Sequence, residues 1–295
     1  MAPHFDRVIG IDWTGANPAK GIAIADCSAD GLVRPVFPSG RYWRREEAVE
    51  WLAGELAGGD RLLIGIDCAF SLPWVPGVGY LDGRVPDVED IFALWELVEE
   101  ASGGAPDQFA GPAVLDPRFH PSFWINGPMP DHWGDGDAKR RRTEVAAAAT
   151  GAGTPVSVFK LAAASKQVGK ASLAGMRSLR ALRRRAGAGR LAVWPAEPTE
   201  GRSVVAEIYP TLFRKAALRS VVKITGREVL ERAVRHFGAR LDPAVPEGFD
   251  DHLGDALITA AGLRWLIQER PEVWHPPGLA SDMARREGWI LGVHG

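Results

Sequence analysis

Two kinds of hydrophobic run alternate along this chain. The first is short and unbroken: in VIGIDWTG, residues 8–15, the apolar positions Val8, Ile9 and Ile11 show no helical spacing, the pattern of a strand buried on both faces. GIAIADC (residues 21–27) and LVRPVF (residues 32–37) read as two more strands, joined by the turn-forming Ala29, Asp30 and Gly31. Three strands at hairpin spacing predict a meander. The second kind of run is periodic. Between Arg44 and Leu56 the residues Ala48, Val49, Trp51, Leu52 and Leu56 recur at helical spacing. After a break at Gly58, Gly59 and Asp60, RLLIGIDCAF (residues 61–70) returns to the unbroken kind and repeats the opening, with IGIDC at 64–68 matching IGIDW at 9–13.

Both repeats end in a carboxylate, Asp12 and Asp67. A strand, helix, strand crossover is right-handed and yields a parallel neighbour. The two acids are therefore expected in one crevice at the carboxyl ends of adjacent strands, where open α/β sheets place their sites. A buried carboxylate is costly unless hydrogen-bonded, paired or bound to a cation. Two of them side by side repel unless a divalent cation or a shared proton joins them. The plainer alternatives are an Asp12 that only caps its turn, or two buried structural acids.

About residues 71–160 break the pattern. Pro and Gly are dense, and Trp74, Tyr80, Trp95, Phe109, Phe119, Phe123, Trp124 and Trp133 crowd in, which marks an insertion or lid beside the site. Only residues 88–100 and 146–149 look helical there. The aromatics could stack on nucleobases, but a loop-rich lobe needs them for a core of its own, which is the preferred reading.

The pattern then returns to a helix over residues 172–185, with Leu173, Met176, Leu179 and Leu182 on its buried stripe and Arg177, Arg180, Arg183 and Arg184 on the other side. From Val145 to Ala196 there is no Asp or Glu. A row of Arg is most often a solvated face, but without compensating acids it is as readily a phosphate-binding surface. Lys166 and Lys170 are placed nearest the site, with Arg177 as a further phosphate contact. Residues 191–195 and 204–210 read as strands, the second holding Glu207 in an apolar run. That acid is either a site residue or the partner of Arg214 or Lys215.

Helices follow from Thr211 and over residues 227–237. The last helix opens at DDHLGDAL, residues 250–257, with Asp250 as N-cap. His252 and Asp255 lie at i, i+3 and Asp251 and Asp255 at i, i+4, so all three can share a face while Leu253, Ala256, Leu257, Ala260 and Ala261 meet the sheet.

Composition changes this picture little. The chain has 295 residues, 46% hydrophobic and 24% charged, which predicts a single domain over residues 1–295 carrying the insertion. No stretch has membrane-spanning length free of charge, and no signal-type segment opens the chain, so a cytoplasmic protein off the membrane is expected. Cys27 and Cys68 have no zinc-type spacing and read as reduced thiols. The net charge of -2 argues against a generic nucleic-acid binder, so any such partner must be met by segregated charge.

Collected, Asp12, Asp67, His252 and Asp255, with Glu207 and Asp251 in reserve, form a hard-oxygen set with an optional imidazole, which suits Mg²⁺ or Mn²⁺. Two such ions about 3.5 to 4 Å apart would activate water and stabilise the leaving oxygen in a phosphodiester displacement.

The meander, helix, Asp-bearing strand and late Asp-bearing helix together resemble the ribonuclease H-like fold, an α/β fold with a mixed central sheet and helices on both faces. His252 to Leu257 is similar to the H-x-x-D-A-L ending of Holliday-junction resolvases, whose first strand likewise carries G-I-D. IGIDCAFSLP, KQVGKASLAGMRSLRAL, AEIYPTLF and DDHLGDAL together resemble the domain-of-unknown-function family numbered four-two-nine, identified as predicted ribonuclease H-like nucleases. This resemblance spans nearly the whole chain. It implies a metal-dependent nuclease acting on DNA or RNA, with Asp12, Asp67 and Asp255 as metal-binding carboxylates and the fourth ligand open among His252, Asp251 and Glu207. Two alternatives stand beside it. One is an ATP-dependent phosphotransferase of the sugar-kinase and actin-like branch, which also follows a strand-end Asp with a Thr/Gly turn. The other is a non-catalytic nucleic-acid-binding protein of the same fold.

Overall fold

The structure, a computed structural model, describes residues 4–133, 139–162, 168–277 and 279–294. Lys166 lies outside the described residues. Seven strands form one mixed sheet: β1 (Arg7–Asp12), β2 (Ala23–Ser28), β3 (Leu32–Val36), β4 (Leu62–Asp67), β7 (Leu191–Trp194), β8 (Ser203–Glu207) and β9 (Arg240–Leu241). They lie in the order β7-β8-β4-β1-β2-β3-β9. β1, β2 and β3 are the predicted antiparallel meander, while β4, β8 and β7 continue parallel to β1. A separate hairpin pairs β5 (Trp74–Val75) with β6 (Gly79–Tyr80).

Among the described residues there are eight α-helices: α1 (Arg45–Ala57), α2 (Ile91–Ala101), α3 (Arg142–Ala149), α4 (Val168–Ala186), α5 (Pro210–Leu218), α6 (Arg227–His236), α7 (Asp251–Glu269) and α8 (Ser281–Arg286). None is long and apolar enough to cross a membrane.

Strand alternation sorts the core into two halves. Ile9 and Ile11 of β1 and Ile64 and Ile66 of β4 point to the face covered by α1 and α4. Val8 and Leu63 point to the face covered by α7. Because side chains alternate with period two, Gly10, Asp12, Gly65 and Asp67 all belong to the α7 face. The β1–β4 register pairs Gly10 with Gly65 and Asp12 with Asp67. A Cβ on Gly10 would stand 2.5 Å from the Ala256 carbonyl oxygen, and one on Gly65 would strike the Leu263 side chain. The repeated I-G-I-D is thus a packing device as well as an acid pair, since its glycines let α7 lie close on the strands.

The aromatic-rich segment supplies core, as expected. Tyr80, Trp95, Phe119, Phe123 and Trp133 are buried in the same apolar cluster as α1 and α4, and Trp74, Phe109 and Trp124 are half-buried. The two cysteines are free and buried; burial pushes the Cys27 thiol up to about 12 and Cys68 well above the ordinary thiol range, so both are inert.

Candidate active site

The two strand-end acids open into one crevice of about 470 Å³, which also receives Asp251, His252 and Asp255 from the first turns of α7. Asp250 caps that helix by accepting from the Leu253 N–H at 2.9 Å. His252 Nδ1 lies 2.6 Å from Asp12 Oδ2. Its ring rests on Gly21, which has φ +107° and whose Cβ, if present, would stand 2.9 Å from His252 Nε2. Glycine is needed there for both the backbone conformation and the space.

Asp255 is almost fully buried and holds two cations: Arg214 Nη1 donates to Oδ1 and Lys223 Nζ to Oδ2. Lys223 also lies 3.6 Å from Asp251. Arg214 is itself steadied by Thr211 at 2.7 Å and by the Val221 carbonyl at 3.3 Å. The Asp67 carboxylate, by contrast, has no hydrogen-bond or ion-pair partner among the described residues.

Burial raises the pKa of Asp12 and the Asp255 charge adds to it, against the opposing hydrogen bond from His252. For Asp67 burial acts first and the neighbouring Asp12 and Asp255 charges second, holding its carboxyl well above the usual range. His252 shifts upward through its hydrogen bond to Asp12, despite burial. Burial works against the Lys223 ammonium, but Asp255 and Asp12 outweigh it and its pKa is raised. A cluster of acids with too little positive charge beside it, set in a cleft, is the electrostatic form of a cation or phosphoryl site.

Glu207 departs from the expectation that it serves as a site carboxylate or pairs with Arg214 or Lys215. In the β4–β8 ladder it sits opposite Ile66, so it points to the α4 face, away from the face of Asp67. There it accepts two bonds from Arg141, Nη1 at 2.7 Å and Nη2 at 2.5 Å, and one from the Phe70 N–H at 3.2 Å. Arg141 also donates to Glu144 at 2.9 Å. Glu207 borders the crevice with its acceptors already engaged, and Arg214 goes to Asp255 instead.

Arg177 is likewise corrected as a phosphate contact. It is buried, and its guanidinium is consumed by both Glu99 oxygens and the carbonyls of Ala105 and Phe109. Arg180 pairs with Glu96, and Arg183 with Glu197. Thus much of the acid-free segment is neutralised by α2 and by the turn after β7. Lys170 is half-exposed in the first turn of α4, where its backbone packs so closely on Gly15 that a Cβ at Gly15 would overlap it.

Sequence reading missed Lys223, Arg141 and Gly21, and offered Arg214 only as one alternative partner of Glu207, whereas it pairs with Asp255. Helical spacing offered one usable signal. Arg214 follows Thr211 by three residues on the first turn of α5, so the two share a face.

The donor set is chemically suited to a hard divalent cation, since Asp12, Asp67, Asp251 and Asp255 offer oxygen and Asp67 is unpaired. As the side chains stand, no three His, Cys, Asp or Glu of the described residues are grouped to hold a metal ion, and both oxygens of Asp255 are occupied by Lys223 and Arg214. Asp12 and Asp67 are the residues that would hold an ion first, with Asp255 joining once Lys223 yields.

The fold and crevice define an α/β protein with a strand-end carboxylate site. Comparison of the chain with protein-family models, with curated proteins and with solved structures finds no match to any of them.

Proposed function

We propose that this protein is a divalent-metal-dependent phosphodiester hydrolase of ribonuclease H-like architecture, a nuclease in the broad sense. One observation carries the reading: Asp12 and Asp67 end adjacent parallel strands in matched register, on the face where α7 brings Asp255 and His252. The central β1 flanked by an antiparallel meander on one side and parallel strands on the other supports the fold assignment.

The residues divide the work. Asp12 and Asp67 would bind Mg²⁺ or Mn²⁺, which supplies charge neutralisation and a more acidic water for attack on phosphorus. His252 orients Asp12 and can hold a proton on the pair. The first turns of α4, α5 and α7 all line the crevice, so their N–H dipoles favour an anionic phosphate there. Lys223 adds positive charge beside Asp255.

The test is hydrolysis of bis(p-nitrophenyl) phosphate and of a DNA and RNA panel, with Mn²⁺ or Mg²⁺ present or chelated. Activity should require the ion and fall at least about 100-fold in Asp67→Asn, the scale on which removing a transition-state charge partner acts. Turnover that survives both chelation and Asp67→Asn would refute the proposal.

A further inference from the structure

The crevice is small, and its size and the charge of its lining bear on what phosphodiester it admits. Resting on the hydrolase reading above, we propose that its substrate is a small phosphodiester of about mono- to dinucleotide size, or a free strand end of that size, and not a nucleic-acid strand laid across the surface.

Size is the first observation. About 470 Å³ falls in the range of pockets that enclose one small molecule, about 300–1,000 Å³. Thr154, Pro155 and Val156, which follow α3, form part of its wall, and Pro155 and Val156 with Val168 and Ile290 give it apolar lining. Such a wall suits one sugar or base beside the phosphate. A strand passing through needs two open ends.

Charge is the second, independent observation. A polymer-binding groove tracks several phosphates with free Lys and Arg. Of the described cations lining the crevice, Arg141 and Arg214 are committed to buried carboxylates, and Lys223 alone is partly exposed. Arg177, Arg180 and Arg183 are spent on Glu99, Glu96 and Glu197. The exposed Arg184 and Arg185 sit at the far end of α4. At 1.5 Å per residue, Arg184 is about 24 Å along the helix from Val168 in the crevice wall, more than twice the Debye length of about 8 Å at physiological salt. The charge of Arg184 and Arg185 is therefore out of reach of a phosphate in the crevice, which leaves Lys170, half-exposed in the first turn of α4 and packed on Gly15, as the described cation of that segment beside it.

Affinity against chain length tests this. A fluorescent dinucleotide held by the wild-type protein in Ca²⁺ is displaced by unlabelled dinucleotide, 5-mer, 20-mer single strand and 20-base-pair duplex, between 50 and 200 mM salt. With one or two phosphates engaged, the slope of log K against log salt for single strands should be about -0.7 to -1.4. Affinity should also stay within about twofold from dinucleotide to 20-mer, because the described arginines along α4 are paired or distant from the crevice. A slope steeper than about -3, with affinity climbing tenfold or more with length, would overturn the proposal. So would internal cleavage of the 20-mer in Mn²⁺, which would leave the hydrolase reading standing. If no member of the panel binds or is cleaved, both fall. Replacing Thr154→Gly, Pro155→Gly and Val156→Gly together should permit internal cleavage of the 20-mer in Mn²⁺; cleavage still confined to strand ends in this variant would refute the wall as the size limit.

Discussion

Replacing Arg141 by Met gives the sharpest test of how the site is supported. The guanidinium is about 1% exposed and joins Glu144, also nearly inaccessible, to Glu207. Burial opposes its charge, but the two carboxylates outweigh burial and raise its pKa. Arg141→Met removes three side-chain bonds, at 2.9, 2.7 and 2.5 Å, and leaves two buried acids uncompensated. Breaking one buried pair costs about 3–5 kcal/mol. Two stranded carboxylates place Arg141→Met at or above about 4 kcal/mol, a drop in Tm of about 8 °C or more. The loss should depend on pH with a definite sign. Burial, joined by the Glu207 charge, already raises the Glu144 pKa above its usual value despite Arg141. Without Arg141 the folded-state pKa of Glu144 lies higher still. The folded variant then binds protons that the unfolded chain releases, so its stability falls as pH rises above the ordinary carboxylate range. Thermal melts at pH 5 and pH 8 should show the larger deficit at pH 8, and adding Glu207→Gln should recover part of it. A deficit below about 1 kcal/mol, or one equal at both pH values, would refute Arg141 as the counter-charge of a buried structural acid. Mn²⁺ affinity gives a second reading: it should not change, whereas a Glu207 that ligates the ion would bind it more tightly once released.

Two further outcomes follow from the acid cluster. Burial raises both Asp12 and Asp67, so the ion-free protein loses stability as pH climbs from the ordinary carboxylate range through their raised values, and an ion that requires both ionised restores it. The Tm gain from Mn²⁺ should therefore be greater at pH 8 than at pH 5, and an equal gain at both would contradict the assignment. Lys223 holds the Asp255 oxygen that an ion needs, so Lys223→Met should bind Mn²⁺ about tenfold more tightly by calorimetry, equivalent to about 1.4 kcal/mol; unchanged or weaker binding would show that Lys223 does not compete for the site.

Much of this was legible in the sequence wherever a period carries the information. The meander, the crossover to β4, the paired acids and the α7 face with His252 and Asp255 all follow from periods of two and 3.6 read over short windows. Glu207 shows where that reading stopped short. Its burial was visible, but its face depends on which residue of β4 it sits beside, and that register is set between strands about 140 residues apart. Arg141 stands in a run of four basic residues, Lys139 to Arg142, and nothing local separates the member that is buried from its neighbours. The acid-free segment misled for a related reason. Its counter-charges, Glu96 and Glu99, lie on another helix, so charge balance was hidden from any window along the chain. Lys223 reaches Asp255 from the segment joining α5 and α6, whose path is set by tertiary packing.

The paired glycines of β1 and β4 carry a consequence for how the site tolerates change. Neither Gly10 nor Gly65 lines the crevice. A methyl group on Gly65 would meet only the end of the Leu263 side chain and Ile208, but one on Gly10 would meet the α7 backbone at Ala256 and Ala260 and push the helix outward. His252 and Asp255 would travel with it, while Asp12 and Asp67 stayed on the strands. The spacing between the two halves of the acid cluster is thus set from behind, by the thickness of the layer between helix and sheet. Small substitutions at Gly10 should disable the chemistry through ångström-scale separation while every polar residue of the site remains in place.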